Sequence, residues 1–546
     1  MNKLIKIVLC MSMFLMLFGC QQETELDTSA DETAEPVEQE EIPDYPSAGT
    51  DEIESFYKSE KASWGVSMYD NPSAVKAYEK YRDFCNRYLI NAVEENDNEI
   101  ISPLSLYYVL AILANGASGD TRRQLENALG MNVTDLNNFL KDIETVNNDR
   151  DGDKYKKANS LLFNTHHGLS LSDDYVNTIR EYYGDSIEQY DFGDGSGIAD
   201  KVNSWAARET DNAINNIVEN DDFNDLTSFL ILNALAAGDK WDVPFETGKT
   251  YYEEFNNYDN TKSMVEMMHQ TFLGYWHDDL SEGFCKRLVN QVSVVGIVPN
   301  VGVDIYDYIN QLQPDTIAAF TNIYTYYTNE EFGDYGCTAD LNYTNLSFPK
   351  FEYEKEYDLD KALKKMGLKD LYDYQTCDFS AMAKGDQSVI DELCLQKAKQ
   401  KCTILVDEEH IEAAAVTVAY GGLGGDGCNI RDTYYHDVVF NRPFLFAIIY
   451  NLSTYSPDLA TPLFIGVVTK LGEPVEKAMQ IENITGAINI RSKPSTKGEK
   501  LGTFTKGSII FAFETKEAEG YTWYQIGTDK WVADKGGEWI KVLKQY

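Results

Sequence analysis

Val406-Asp407-Glu408-Glu409-His410-Ile411-Glu412-Ala413-Ala414-Ala415-Val416-Thr417-Val418-Ala419-Tyr420 is the stretch on which the reading of this chain turns. A strand-like run, Lys401 to Val406, precedes it, and a glycine cluster, Gly421 to Gly427, follows. An acidic start followed by small residues suits an exposed loop, the ordinary fate of such sequence. It equally suits a mobile hinge that can become a strand, because small side chains belong where backbone slips into a tight slot. In a strand alternate residues share a face. Ile411, Ala413, Ala415 and Thr417 would then point one way, and Glu412, Ala414 and Val416 the other. The first set is uncharged and mostly small, so it can be buried.

Upstream, Asn71-Pro72 reads as a helix start, with Tyr78, Tyr81, Cys85, Tyr88 and Ala92 on one face at helical spacing. Asn98-Glu99-Ile100-Ile101-Ser102-Pro103-Leu104-Ser105 and the apolar run Leu106 to Leu113 predict a buried helix, with Ser102 as its cap. Val202-Asn203-Ser204-Trp205 predicts an amphipathic helix. Leu232-Asn233-Ala234-Leu235, running on to Trp241 and Phe245, predicts a strand whose Asn and Trp need hydrogen-bond partners. Val265 to Gln270 and Val294 to Pro299 read as further strands, with Met267 and Met268 as core filling. Phe348-Pro349-Lys350-Phe351, Asn441-Arg442-Pro443-Phe444 and Leu463-Phe464-Ile465-Gly466-Val467 complete the series.

In this order the segments resemble the serpins, the suicide inhibitors of proteases, from Ser73 to Lys470. The resemblance implies an α+β serpin fold: helices packed on a large mixed sheet, two smaller sheets and an exposed reactive loop. It places Ser102, Ser105, Asn233 and Gln400 at the shutter where two strands part, and Trp241 at the breach where the loop enters. Glu408 to Thr417 become the hinge. A protease would form an acyl-enzyme on the loop through its own catalytic serine or cysteine, and the cleaved loop would enter the sheet and distort the captive enzyme. No catalytic residue, cofactor or metal of the chain's own is implied. Three departures stand out: His410 where the family prefers Gly, Ile411 for the usual Thr or Ser, and Gln400 where many members place His. Gln400 is expected to donate to Asn233 or Ser105. Counting from Glu408 puts the reactive bond at Leu423, Gly424 and Gly425, while counting back from Pro443 reaches Arg431 and Asp432. The first choice implies an elastase-, chymotrypsin- or subtilisin-like target, the second a trypsin-like one.

The ends carry separate signals. Lys3, Lys6 and the apolar run Leu4 to Phe18 read as a secretion signal too short to span a bilayer comfortably. Leu17-Phe18-Gly19-Cys20 resembles a bacterial lipobox, which implies cleavage before Cys20, lipidation of its thiol and anchorage to the outer face of the cell membrane. From Gln21 to Tyr57 there is no Lys or Arg, so the segment is expected to be a disordered acidic tether. The expected layout is signal 1–19, tether 20–70, serpin domain 71–470, linker and C-terminal module 471–546. In that module Asn489-Ile490-Arg491-Ser492-Lys493-Pro494-Ser495 and Trp523-Tyr524-Gln525-Ile526 resemble a bacterial SH3 (SH3b) domain, a small all-β barrel. Such domains often take cell-wall peptide or glycan.

A formal net charge of −42 argues against nucleic acid and against adsorption to anionic lipid. Beyond Cys10 and Cys20, seven cysteines are scattered without a CxxC, and no disulfide framework can be read from them. Gly422-Leu423-Gly424-Gly425-Asp426-Gly427 spells GxGxxG, but no helical periodicity follows, so dinucleotide binding is not expected. His166-His167 reads as an exposed loop.

Overall fold

The computed structural model describes residues 72–545, apart from 149–155, 185–186, 195–196, 210–215, 225–226, 237–238, 290–291, 322–324, 329–336, 396–397, 412–427, 452–458 and 473–477. The helix Pro72–Ala92 begins at its proline, and Tyr78, Tyr81, Cys85 and Tyr88 are all buried. Tyr81 and Phe84 pack on Tyr107 of helix Pro103–Gly116 and Tyr78 on Phe139 of helix Val133–Asn148, with edge-on rings. Helix Pro103–Gly116 is buried nearly all round, as an apolar run with no polar face requires.

Beneath these helices lies a six-stranded antiparallel sheet in the order Glu99–Ile101, Ala460–Val468, Phe444–Asn451, Val292–Pro299, Ser281–Arg287, Tyr275–His277. Val292–Pro299 and Ala460–Val468 are buried throughout. A second sheet pairs Thr250–Asn256, Lys262–Leu273 and Cys337–Pro349, and Met267 and Met268 are core residues there. Strand Cys428–Val439 runs parallel to Cys337–Pro349 over nearly its whole length.

The functional region lies between two ribbons. One pairs Ile187–Tyr190, Lys156–Asn164 and Phe229–Ala236; the other pairs Phe351–Asp358 with Lys399–Val406. Asp239–Lys240 follows Phe229–Ala236 in the chain. The two-residue strand His410–Ile411 joins Asp239–Lys240 to the second ribbon. It pairs antiparallel with Val406 on one side and with Asp239–Lys240 on the other.

The C-terminal region is all β. Met479–Asn483 is flanked by Ile509–Ala512 and Ile540–Gln545, and a five-stranded sheet runs Lys500–Phe504, Ile488–Arg491, Lys530–Asp534, Tyr521–Gly527, Thr515–Ala518. Ile481, Ile490, Ile526 and Val532 form its core.

Candidate functional site: the hinge and the mouth of the sheet

Asp407 to His410 form a tight turn in which the Asp407 carboxylate accepts from the amides of Glu409 (2.8 Å) and His410 (2.7 Å). The Asp407 amide donates to the His410 carbonyl at 3.0 Å. Such side-chain-to-backbone bonds are what Asp supplies at turns. Trp241 covers the turn. Its indole N–H donates to the Asp407 carbonyl at 2.9 Å and its amide to the Glu409 carbonyl at 3.2 Å. The Phe245 amide reaches the Glu408 carbonyl at 2.9 Å. The Trp predicted to need a partner therefore finds it in the hinge itself.

The Glu408 side chain turns inward and is held by two lysines. Lys350 Nζ lies 2.7 Å from one carboxylate oxygen and Lys530 Nζ 3.0 Å from the other. Glu266 faces both ammonium groups, 3.8 Å from Lys350 and 3.9 Å from Lys530. Burial pushes the Glu408 carboxyl up, but the two lysines more than reverse this and hold it down at about 2. Beside this network Lys286 is enclosed by aromatic faces, with its Nζ 5.6 Å from the Trp241 ring, 5.1 Å from Phe245 and 4.7 Å from Phe272. Burial lowers this ammonium to about 7, with Asp242 only partly opposing it.

At the shutter, Ser102 occupies the helix N-cap by backbone conformation, but its hydroxyl does not cap the helix. It donates to the Leu463 carbonyl at 3.0 Å, which ties the helix to the sheet below. Gln400 is buried and bonds to Ser102 twice. Its Nε2 donates to the Ser102 carbonyl at 2.9 Å, and its Oε1 accepts from the Ser102 amide and the Tyr88 hydroxyl, both at 3.0 Å. These bonds differ from the expected donation to Asn233 or Ser105: the amide is long enough to reach the backbone at the helix start. Ser105 is buried one turn on. Asn233 lies in strand Phe229–Ala236 opposite Asn159, its side chain outside the described residues.

The structure places Glu408, Glu409 and His410 at the mouth of the sheet, with Ile411 beside Asp239 by backbone register. Glu412, Ala413, Ala414, Ala415, Val416, Thr417, Leu423, Gly424 and Gly425 lie outside the described residues, as does Cys20. Arg431 and Asp432 fall within strand Cys428–Val439, where the register shifts between Ala339 and Leu341 of the neighbouring strand. The strand after the glycine cluster is incompatible with the helix that GxGxxG chemistry needs. His166 and His167 sit in an exposed turn, with His166 Nδ1 2.7 Å from Asp191.

Sequence reasoning missed Glu266, Lys530 and Lys286. Lys350 was legible only as part of a motif. Cys377 and Cys394 are both free thiols, and Cys377 Sγ donates to the Leu393 carbonyl at 2.9 Å.

The family model described as "Serpin (serine protease inhibitor)" matches residues 79–471. The chain belongs to the serpin family. A model described as "Bacterial SH3 domain" matches residues 486–545 of the same serpin. Neuroserpin of Gallus gallus is 25% identical over 395 residues, covering 69% of this chain and 87% of its own length. Among solved structures, the thermophilic serpin Tengpin in the native state has 27% identity and a TM-score of 0.58, covering 72% of this chain and 94% of that one. Tengpin in the latent state has 25% identity and a TM-score of 0.57, with coverages of 74% and 99%. Serpins are in general inhibitors that target proteases, not enzymes, and bacterial SH3 domains in general bind cell-wall ligands.

Proposed function

We propose that this serpin is an extracellular inhibitor of serine proteases, tethered to the bacterial membrane through lipidated Cys20, which traps its acyl-enzyme by inserting the cleaved loop. The observation that carries this reading is the seating of His410–Ile411 between Val406 and Asp239–Lys240. The first residues of the hinge already occupy the entry point, antiparallel to both neighbours, in the direction an incoming strand must run. Tengpin, solved in states named native and latent, supports two arrangements of one such fold. Each further ladder bond gained on insertion adds about 0.5–1.5 kcal/mol net. Small apolar residues at Leu423-Gly424-Gly425 favour an elastase-, chymotrypsin- or subtilisin-like target, and the barrel supplies a cell-wall contact.

The test is a denaturing gel of the purified chain after incubation with elastase, subtilisin and trypsin. An SDS-stable covalent complex is expected with one of the first two. Ile411→Arg is expected to abolish the complex and leave only cleaved chain, because a guanidinium inserted without a partner costs several kcal/mol. A variant that traps as well as the parent sinks the hinge assignment. His410, stiffer than glycine at this position, favours a second reading: a non-inhibitory serpin-fold binding protein, for which every protease gives cleavage alone.

A further inference from the structure

The barrel does not hang from the serpin domain as a loose bead. Gly248 lies so close to it that a Cβ there would stand 1.9 Å from the Leu501 carbonyl oxygen and 2.8 Å from Gly502 Cα. Phe513 of the barrel meets Tyr252 edge-on at 4.5 Å between ring centres, and the Thr528 amide donates to Glu266 at 2.8 Å. Lys530 follows two residues later and is only 5% exposed. An ammonium buried so deeply needs anionic partners, and the partners here are Glu408 at 3.0 Å and Glu266 at 3.9 Å, both supplied by the other domain.

The four groups form a balanced set, two carboxylates against two ammonium groups. Without Lys530, Glu408 and Glu266 would share Lys350 alone, and like charges in a sparsely hydrated site repel strongly. Glu408 is also the residue whose carbonyl accepts from Phe245 and which stands two positions before the strand His410–Ile411. Whatever holds its side chain holds the pivot of the loop.

We propose that Lys530 is a positioning residue for the hinge: from the docked barrel it fixes Glu408, so that His410–Ile411 stays seated at the mouth of the sheet. The barrel is thereby part of the trapping machinery as well as a wall-binding appendage. As a statement about inhibition this rests on the proposed function; as a statement about the hinge it does not.

The experiment is amide hydrogen exchange on the full chain, parent against Lys530→Met, which keeps length and removes charge, and Lys530→Arg, which keeps charge. Lys530→Met is expected to speed exchange at Trp241, Phe245 and Asp407 by about tenfold or more, and Lys530→Arg by less than about threefold. Amides of the six-stranded sheet should be unmoved in both. If Lys530→Met does not fold, Lys530→Gln carries the same expectation. Protection in the charge-removed variant equal to the parent overturns the proposal, as does loosening by Lys530→Arg equal to that by Lys530→Met. In the protease assay Lys530→Met should raise the number of inhibitor molecules consumed per trapped protease by about threefold or more, by the same loosening. A parent chain that traps nothing defeats the proposed function and leaves the exchange comparison to decide the role of Lys530.

Discussion

Lys286 is a cation enclosed by the rings of Trp241, Phe245 and Phe272 and only 4% exposed. Ring faces return part of the lost hydration, but burial still depresses the group to about 7. Because the unfolded chain binds this proton up to a pH of about 10.4, Lys286 penalises folding fully below 7. The penalty lifts as the pH rises from 7 towards that value. Lys286→Met should therefore stabilise the protein at pH 6 by about 1–3 kcal/mol, measured by denaturant unfolding, with the gain shrinking at pH 9. Gln400 works in the opposite sense. Gln400→Leu leaves the Ser102 amide, the Ser102 carbonyl and the Tyr88 hydroxyl without these partners, and should cost about 2–4 kcal/mol in the same measurement. Tyr78, Tyr81, Cys85 and Tyr88 were legible as a buried face because a single helix sets their spacing. The partner of the Ser102 hydroxyl was not, since Leu463 reaches it only through the tertiary fold.

At the scale of the element, the hinge strand is anchored at its start by charge. Glu408 has its carboxyl at about 2, below that of an unfolded glutamate, so its pairing is fully present above pH of about 4.5 and is lost as the pH falls through 2. Lys350, Lys530, Glu266 and the turn residue Asp407 are the charged groups around it. Glu408→Gln should lower stability at pH 7 by about 2–3 kcal/mol. The gap from the parent should close between pH 4.5 and 2, as followed by acid titration of near-ultraviolet circular dichroism. The alternation read from Ile411 to Thr417 runs on into residues outside the described ones, but the extended backbone at His410–Ile411 was legible. The ion pair that steadies its root was not, because Glu408 and Lys530 are separated by 122 residues and belong to different domains. Charge pairs across such distances leave no periodic trace in sequence.

For the whole molecule, the seam between Cys428–Val439 and Cys337–Pro349 matters after the loop is cut. The pairing runs from Cys337 opposite Cys428 to Ser347 opposite Val439. Downstream of it, Phe444–Asn451 and Ala460–Val468 lie inside the six-stranded sheet. A break between 412 and 427 frees neither fragment. The nicked protein should elute from a sizing column at the position of the intact one, and separate into two pieces only in detergent. A captured protease would be esterified to the upstream piece while the barrel rides on the downstream one. Prisoner and barrel would then share no covalent link at all, and the two would stay together only as long as those backbone rungs hold.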